Sequence, residues 1–238
     1  MISDIKYADI CDGNTIGKPT VVIWGDSHAA SIYQGLLKQS LISGFNLAQY
    51  TESSCPPFFD FDVYNRKDCK SNNTYVLKKL KIIQPDTVIL AAYWLIYDEG
   101  RETSNYLSEE ELGKTLSILK SLGIANIVVV GQLPTFNQTQ PKVGVKNFIK
   151  NINNRTYKKY NYESNIVDNR IRKIATNYNV SFVSPIDTLC TNAGCLISTS
   201  LNKLIPLAWD YGHLTNEGSE YLIESALRNN SLKLPINH

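Results

Sequence analysis

The chain has 238 residues, 43% of them apolar and 19% charged, with a formal net charge of +2. This composition supports a packed core and excludes a disordered chain. Arg155, Lys158 and Lys159 form only a small solvated cluster and there is no long basic run, which excludes a nucleic-acid surface; no apolar stretch approaches the roughly 20 residues that cross a bilayer.

Residues 1–18 read as an N-terminal extension. Its first part has no apolar h-region, so it is not a signal peptide; work outside the cytoplasm would require a segment this sequence lacks. Thr20-Val21-Val22-Ile23-Trp24 then reads as a buried strand and enters Gly25-Asp26-Ser27-His28, with a helix predicted over about 29–40. A second strand is predicted over 46–51, and a helix over about 73–83 places Tyr75, Val76, Leu80 and Ile83 on one face before Pro85 ends it. Thr87-Val88-Ile89-Leu90-Ala91 is the third strand. Ser108, with Glu111 three residues on, makes a capping box for a helix that ends near Gly123. The fourth strand spans 126–131.

The next segment, 132–162, is polar, Asn-rich and weakly periodic, and it is long for a loop in a compact domain. It reads as an insertion. Its aromatics Phe136, Phe148, Tyr157, Tyr160 and Tyr162 either pack on the body or form a lid that stacks on sugars. A helix over 164–178 leads to a fifth strand over 180–183, and the closing helix runs over about 215–228. Near-continuous apolar strands alternating with helices predict a parallel sheet covered on both faces, as one doubly wound α/β domain over 1–238.

The five cysteines suggest two local staples. Cys190 and Cys195 lie in a tight loop with Gly194, and Cys55 and Cys69 flank a stretch rich in Pro, Phe and Asp. Disulfides Cys55–Cys69 and Cys190–Cys195 would imply an oxidising compartment, the first contributing about 3 kcal/mol. The alternative is free thiols in a cytosolic protein. No Cys-x-x-Cys pair exists, so no metal site is expected. Cys11 is left over, either free or partnered outside the chain.

Open α/β sheets carry their sites at the carboxyl ends of the strands, which is where Ser27 falls. Ser27 also opens a helix, where free N–H groups favour negative charge, so its own amide suits an oxyanion. A serine hydroxyl needs a base. Of the three histidines, His28 is expected to point elsewhere and His238 is terminal, which leaves His213, with Asp210 three residues earlier to hold its ring.

Gly25-Asp26-Ser27-His28 together with Asp210-Tyr211-Gly212-His213-Leu214-Thr215 resembles the SGNH (GDSL-type) hydrolase superfamily. More narrowly, the chain is similar to the SGNH domains fused to membrane-bound acyltransferase 3 domains in bacterial polysaccharide O-acetyltransferases. Ser54-Cys55-Pro56-Pro57, Leu90-Ala91-Ala92-Tyr93-Trp94, Gly131-Gln132-Leu133-Pro134 and the Cys190 to Cys195 loop carry that narrower likeness, which covers roughly 19–227. The resemblance implies a flavodoxin-like three-layer α/β/α sandwich with a five-stranded parallel sheet. It also implies a catalytic triad of Ser27, Asp210 and His213. Members of the superfamily offer a Gly after the second strand and an Asn after the third as oxyanion donors. Here those places hold Ser53-Ser54-Cys55 and Tyr93-Trp94. The Ser27 amide is then one donor, with Ser54, a nearby backbone amide or Trp94 as candidates for the others.

The activity so implied is O-acetyl transfer to a surface-polysaccharide hydroxyl through an acyl-serine, on the periplasmic side of a bacterial inner membrane. The partner would be a membrane acyltransferase 3 domain in the same full-length chain, drawing on acetyl-CoA, with no cofactor bound here. Two rivals use the same residues differently: a carbohydrate acetylesterase, and a catalytically silent module that binds glycan or docks on the membrane partner.

Overall fold

The computed structural model describes residues 17–63, 66–97, 109–148, 154–200 and 203–235. In chain order the elements are β1 (Thr20–Gly25), α1 (Ser27–Ser43), β2 (Asn46–Thr51), α2 (Cys69–Ile83), β3 (Thr87–Ala91), a 3-10 turn (Trp94–Ile96), α3 (Glu109–Ser121) and β4 (Asn126–Val130). Then come α4 (Gln140–Phe148), β5 (Arg155–Thr156), α5 (Glu163–Asn177), β6 (Ser181–Val183), α6 (Pro185–Leu189), β7 (Cys190–Thr191), β8 (Gly194–Leu196) and α7 (Asn216–Arg228).

Five strands form one parallel sheet in the order β2-β1-β3-β4-β6, the flavodoxin-like arrangement. Every residue of β1 is buried. Its side chains alternate between faces: Val21 and Ile23 pack with α1 and α7, and Val22 and Trp24 pack with α2, α3 and α5. The strand order reverses between β1 and β3, and this opens a crevice at their carboxyl ends. Gly25 closes β1 there because no side chain fits: a Cβ would sit 1.7 Å from the Ala91 carbonyl oxygen.

Several boundaries differ from the sequence expectation. Helix α1 starts at Ser27 rather than 29, because Asp26 caps it by accepting the His28 N–H on Oδ1 at 2.8 Å. It runs on to Ser43, where Gly44 turns into the left-handed region at φ 77°. Helix α2 starts at Cys69, four residues early, where the Cys55–Cys69 disulfide anchors its first turn. Ser108 lies outside the described residues, so the capping box there has no structural account, and α3 is described from Glu109.

The 132–162 insertion is not wholly irregular. It contains α4 and β5, and β5 pairs with β8 in a small antiparallel sheet ordered β5-β8-β7. Pro141 and Gly144 mask α4 in the sequence, although Pro is tolerated in a first helical turn. Phe136 and Tyr160 pack on the body, buried edge to face at 5.6 Å, beside Cys195 and Ile197. Tyr157 and Tyr162 remain exposed. The Phe148 side chain lies outside the described residues, as does Cys11. The Cys190–Cys195 disulfide crosses the β7–β8 hairpin.

Helices α1 and α7 are docked tightly. The Ser219 hydroxyl donates to the Ile32 carbonyl at 2.7 Å and accepts the Gly35 N–H at 2.8 Å. At the rim, Lys38 pairs with Glu220 and Glu224, each at 2.7 Å. This contact joins the start of the chain to its end. No described helix is long and apolar enough to cross a membrane.

Candidate active site

The crevice between β1 and β3 receives three side chains from opposite ends of the chain. Ser27 enters on the first turn of α1, and its Oγ lies 2.8 Å from Nε2 of His213. Nδ1 of His213 lies 2.7 Å from Oδ2 of Asp210. The other Asp210 oxygen accepts the N–H groups of Gly212 at 2.9 Å and His213 at 2.8 Å, so the turn itself aims the carboxylate at the imidazole. Thr215 caps α7 directly afterwards, its Oγ1 accepting the Gly218 N–H and donating to the Pro206 carbonyl. Because Asp26 takes the capping role, the Ser27 hydroxyl faces the base rather than its own helix.

Asp26 is a structural hub. It is 1% exposed, and its Oδ2 accepts the Tyr93 N–H at 2.8 Å and the Tyr97 hydroxyl at 3.1 Å. Burial pushes its carboxyl up to about 6, with the Tyr93 and His28 amides and the Tyr97 hydroxyl pulling the other way. One carboxylate thus ties the turn after β1 to the turn after β3.

His28 does not point away from the site, contrary to the sequence expectation. It is 1% exposed, stacks on Tyr93 at 4.5 Å and 6°, and lies 4.3 Å from the His213 ring. Helix geometry turns it inward, and Tyr93 gives it a flat surface. Burial, and then the nearby His213, hold its pKa well below the usual histidine value, so it is neutral. Neither ring nitrogen has a hydrogen-bond partner among the described residues.

The oxyanion candidates fare differently. Trp94 is fully buried on the 3-10 turn, and its indole N–H donates to the Val130 carbonyl at 2.8 Å, so it is not available to an oxyanion. The Tyr93 N–H is taken by Asp26. Ser54 is exposed at φ 54°, and it is its neighbour Ser53 that lines the pocket. That pocket, of about 460 Å³, is bounded by Ser27, Ala30, Ser31, Ser53, Trp209, His213 and Leu214. Sequence reasoning gave Asp26 and Trp209 no role, turned His28 away from the site and singled out Ser54 in place of Ser53. Only the place of Asp26 and His28 inside the first motif, and of Trp209 directly before the second, hinted at them.

A hydroxyl bonded to an imidazole bonded to a carboxylate, at a helix N-terminus, is equipment for acyl transfer through serine. This protein is a serine-dependent acyl-transfer enzyme or esterase. The family model of the SGNH domain fused to AT3 domains matches residues 3–227, and the chain belongs to that family. Among solved structures, the periplasmic domain of a lipopolysaccharide acetyltransferase from Salmonella ser. Paratyphi A is similar. It is 22% identical with a TM-score of 0.77, over 91% of this chain and 85% of that one. The acetyl xylan esterase AlAXEase is 16% identical with a TM-score of 0.52, over 88% of this chain and 98% of that one. These likenesses establish the shared fold. No curated protein matches the sequence.

Proposed function

We propose that this chain is an O-acetyltransferase domain that moves an acetyl group to a hydroxyl of a bacterial surface polysaccharide through acyl-Ser27. The 2.8 Å contact between Ser27 Oγ and His213 Nε2 carries the reading. His213 takes the hydroxyl proton as Ser27 attacks the acetyl carbonyl, and Asp210 steadies the imidazolium that forms. The oxyanion falls at the start of α1, where the Ser27 N–H is a donor, with a backbone amide at Ser53 as the second. His213 then delivers its proton to the leaving group, and later activates the acceptor hydroxyl by the reverse transfer.

Transfer is favoured over simple hydrolysis by the family, whose members occur fused to AT3 domains. A membrane partner of that kind would bring acetyl groups derived from acetyl-CoA, and this domain would need no cofactor of its own. The two disulfides fit an extracytoplasmic, oxidising setting. The acetylesterase alternative uses the same residues with water as acceptor.

The test has two parts. Acetyl release from a chromogenic ester is followed for wild type, Ser27→Ala and His213→Ala, and undiminished turnover in both variants rejects the triad. Products from an acetyl donor and a glycan acceptor are then separated, and free acetate alone, with no acetylated glycan, favours the esterase.

A further inference from the structure

Trp209 is 61% exposed, whereas Trp24 and Trp94 are 1% and 0% exposed. An indole is among the side chains with most to gain from burial, and Trp209 leaves its surface open on the wall of the pocket that contains Ser27. Trp209 is nonetheless fixed in position. Its backbone N–H donates to the His213 carbonyl at 3.0 Å, and the Ala208–Leu214 bridge flanks it. Its ring lies almost flat along the His213 imidazole, with centroids 5.1 Å apart at 19°. The imidazole therefore covers part of the indole and the rest stays open.

The pocket that Trp209 lines also contains the hydroxyl side chains of Ser27, Ser31 and Ser53. Among the described residues no Lys, Arg, Asp or Glu lines it. A phosphate or carboxylate ligand would call for a cation on this lining. An aromatic plane with hydroxyls at its edge suits a neutral ring that has an apolar face and a polar rim. A pyranose has that form, with axial C–H bonds on one face and hydroxyls around its edge.

We propose that Trp209 is the platform for the acceptor sugar. A pyranose lays its C–H face on the indole, and this sets one of its hydroxyls against the acyl-Ser27 carbonyl. The proposal rests on the acyl-transfer reading above. The sugar oxygen attacks the acyl carbon while its proton passes to His213 Nε2. Collapse of the tetrahedral intermediate breaks the bond between that carbon and Ser27 Oγ, and His213 returns the proton to Ser27. The acyl group originates from an acetyl ester or thioester donor. Trp209 is then a specificity-determining residue, because it places a sugar hydroxyl where water would otherwise attack.

The experiment uses wild type, Trp209→Phe and Trp209→Ala, with methyl pyranosides of glucose, galactose, mannose and rhamnose as probes. Acrylamide quenching of wild-type fluorescence reads Trp209, the only exposed tryptophan. At least one pyranoside is expected to shield it. Binding of that sugar by calorimetry is expected to survive in Trp209→Phe and to weaken about tenfold or more in Trp209→Ala. In the transfer assay, the acceptor KM should rise and the ratio of acetylated sugar to free acetate should fall about tenfold in Trp209→Ala. The platform is overturned if no pyranoside shields Trp209, or if the Ala variant keeps the wild-type KM and product ratio. Fluorophosphonate labelling of Ser27 separates the two readings. Wild type that binds sugar but resists the label sinks acyl transfer and leaves the platform; wild type that labels but accepts sugar independently of Trp209 sinks the platform alone.

Discussion

The backbone of Gly35 rests directly on Ser219. Its N–H donates to the Ser219 hydroxyl at 2.8 Å, and a Cβ on Gly35 would lie 2.4 Å from the Ser219 carbonyl oxygen. This contact sits between the two halves of the candidate site, since α1 begins with Ser27 and α7 follows His213. Gly35→Ala must push the helices apart against backbone, not against a flexible side chain. The expected cost is about 2–4 kcal/mol of stability, read from denaturant unfolding, with a loss of esterase turnover that wild type does not show at the same temperature. A variant as stable and as active as wild type would mean that the helices do not hold the halves in register.

Asp210→Asn isolates the electrostatic role of the carboxylate. An Asn oxygen still accepts the Gly212 and His213 amides, so the turn survives. The side chain facing Nδ1 then has an N–H instead of an oxygen, which disfavours the useful tautomer and no longer steadies the imidazolium. Turnover is expected to fall about 10³–10⁴-fold with an unchanged melting temperature. A loss below about tenfold would remove Asp210 from the mechanism.

The sheet order and the meeting of Ser27, His213 and Asp210 were legible in the sequence for a shared reason. Buried parallel strands are continuous apolar runs, and a serine needs a histidine base, of which this chain has three, only His213 with an Asp three residues before it. What was hidden depends on through-space neighbours. Trp94 follows a strand as an oxyanion donor would, yet the 3-10 turn drives it into the core, where Val130 takes its N–H. Asp26 caps α1 and holds β3 as well, a link of 67 residues that no local pattern reveals. Positive φ at Ser54 turns that residue outward, and Ser53 is left on the pocket wall. Helix α4 was missed because Pro141 and Gly144 weaken the propensity signal while Val143 still buries.

The Cys55–Cys69 disulfide closes a loop with a sequence separation of 14. Within it, Arg66 reaches back to Glu52, to Asp68 and to the Ser53 carbonyl on the pocket wall. Replacing both cysteines by serine is expected to cost about 3 kcal/mol. The Cys190–Cys195 pair, separated by only 5 residues, should cost less when removed in the same way. Denaturant titrations with and without reductant check the order of the two effects.

Asp168 gives a stability signature that depends on pH. It is 2% exposed, and burial pushes its carboxyl up to about 7, against the hydrogen bond from Ser184 and the nearby Arg172. A carboxyl raised from 3.8 prefers its proton in the folded state. Its contribution is therefore intact at low pH and is lost as pH rises from about 4 to 7. Asp168→Asn removes that slope. The variant's stability relative to wild type should increase by on the order of 3 kcal/mol between about pH 4 and pH 8, measured by unfolding at both values. A gap that stays constant with pH would overturn the assignment.

His28 slopes the other way. Burial depresses its pKa far below 6.5, so acid favours the unfolded chain, and the stability it contributes is present above about pH 6.5 and lost as pH falls. Its imidazole is wedged between Tyr93 and His213 at 4.5 and 4.3 Å. His28→Phe keeps a flat ring there without the proton site, so its melting temperature should fall less than that of wild type between about pH 8 and pH 5. His28→Ala leaves a void beside His213 and is expected to cost about 2–3 kcal/mol, with turnover lowered about tenfold as the His213 ring loses its backing. Nuclear magnetic resonance of the imidazole nitrogens gives an independent check, since the His28 signals should stay those of a neutral ring from about pH 5 to pH 8. A His28 ring that titrates near the ordinary histidine value would show that solvent reaches it, and the wall it forms behind His213 would then be open.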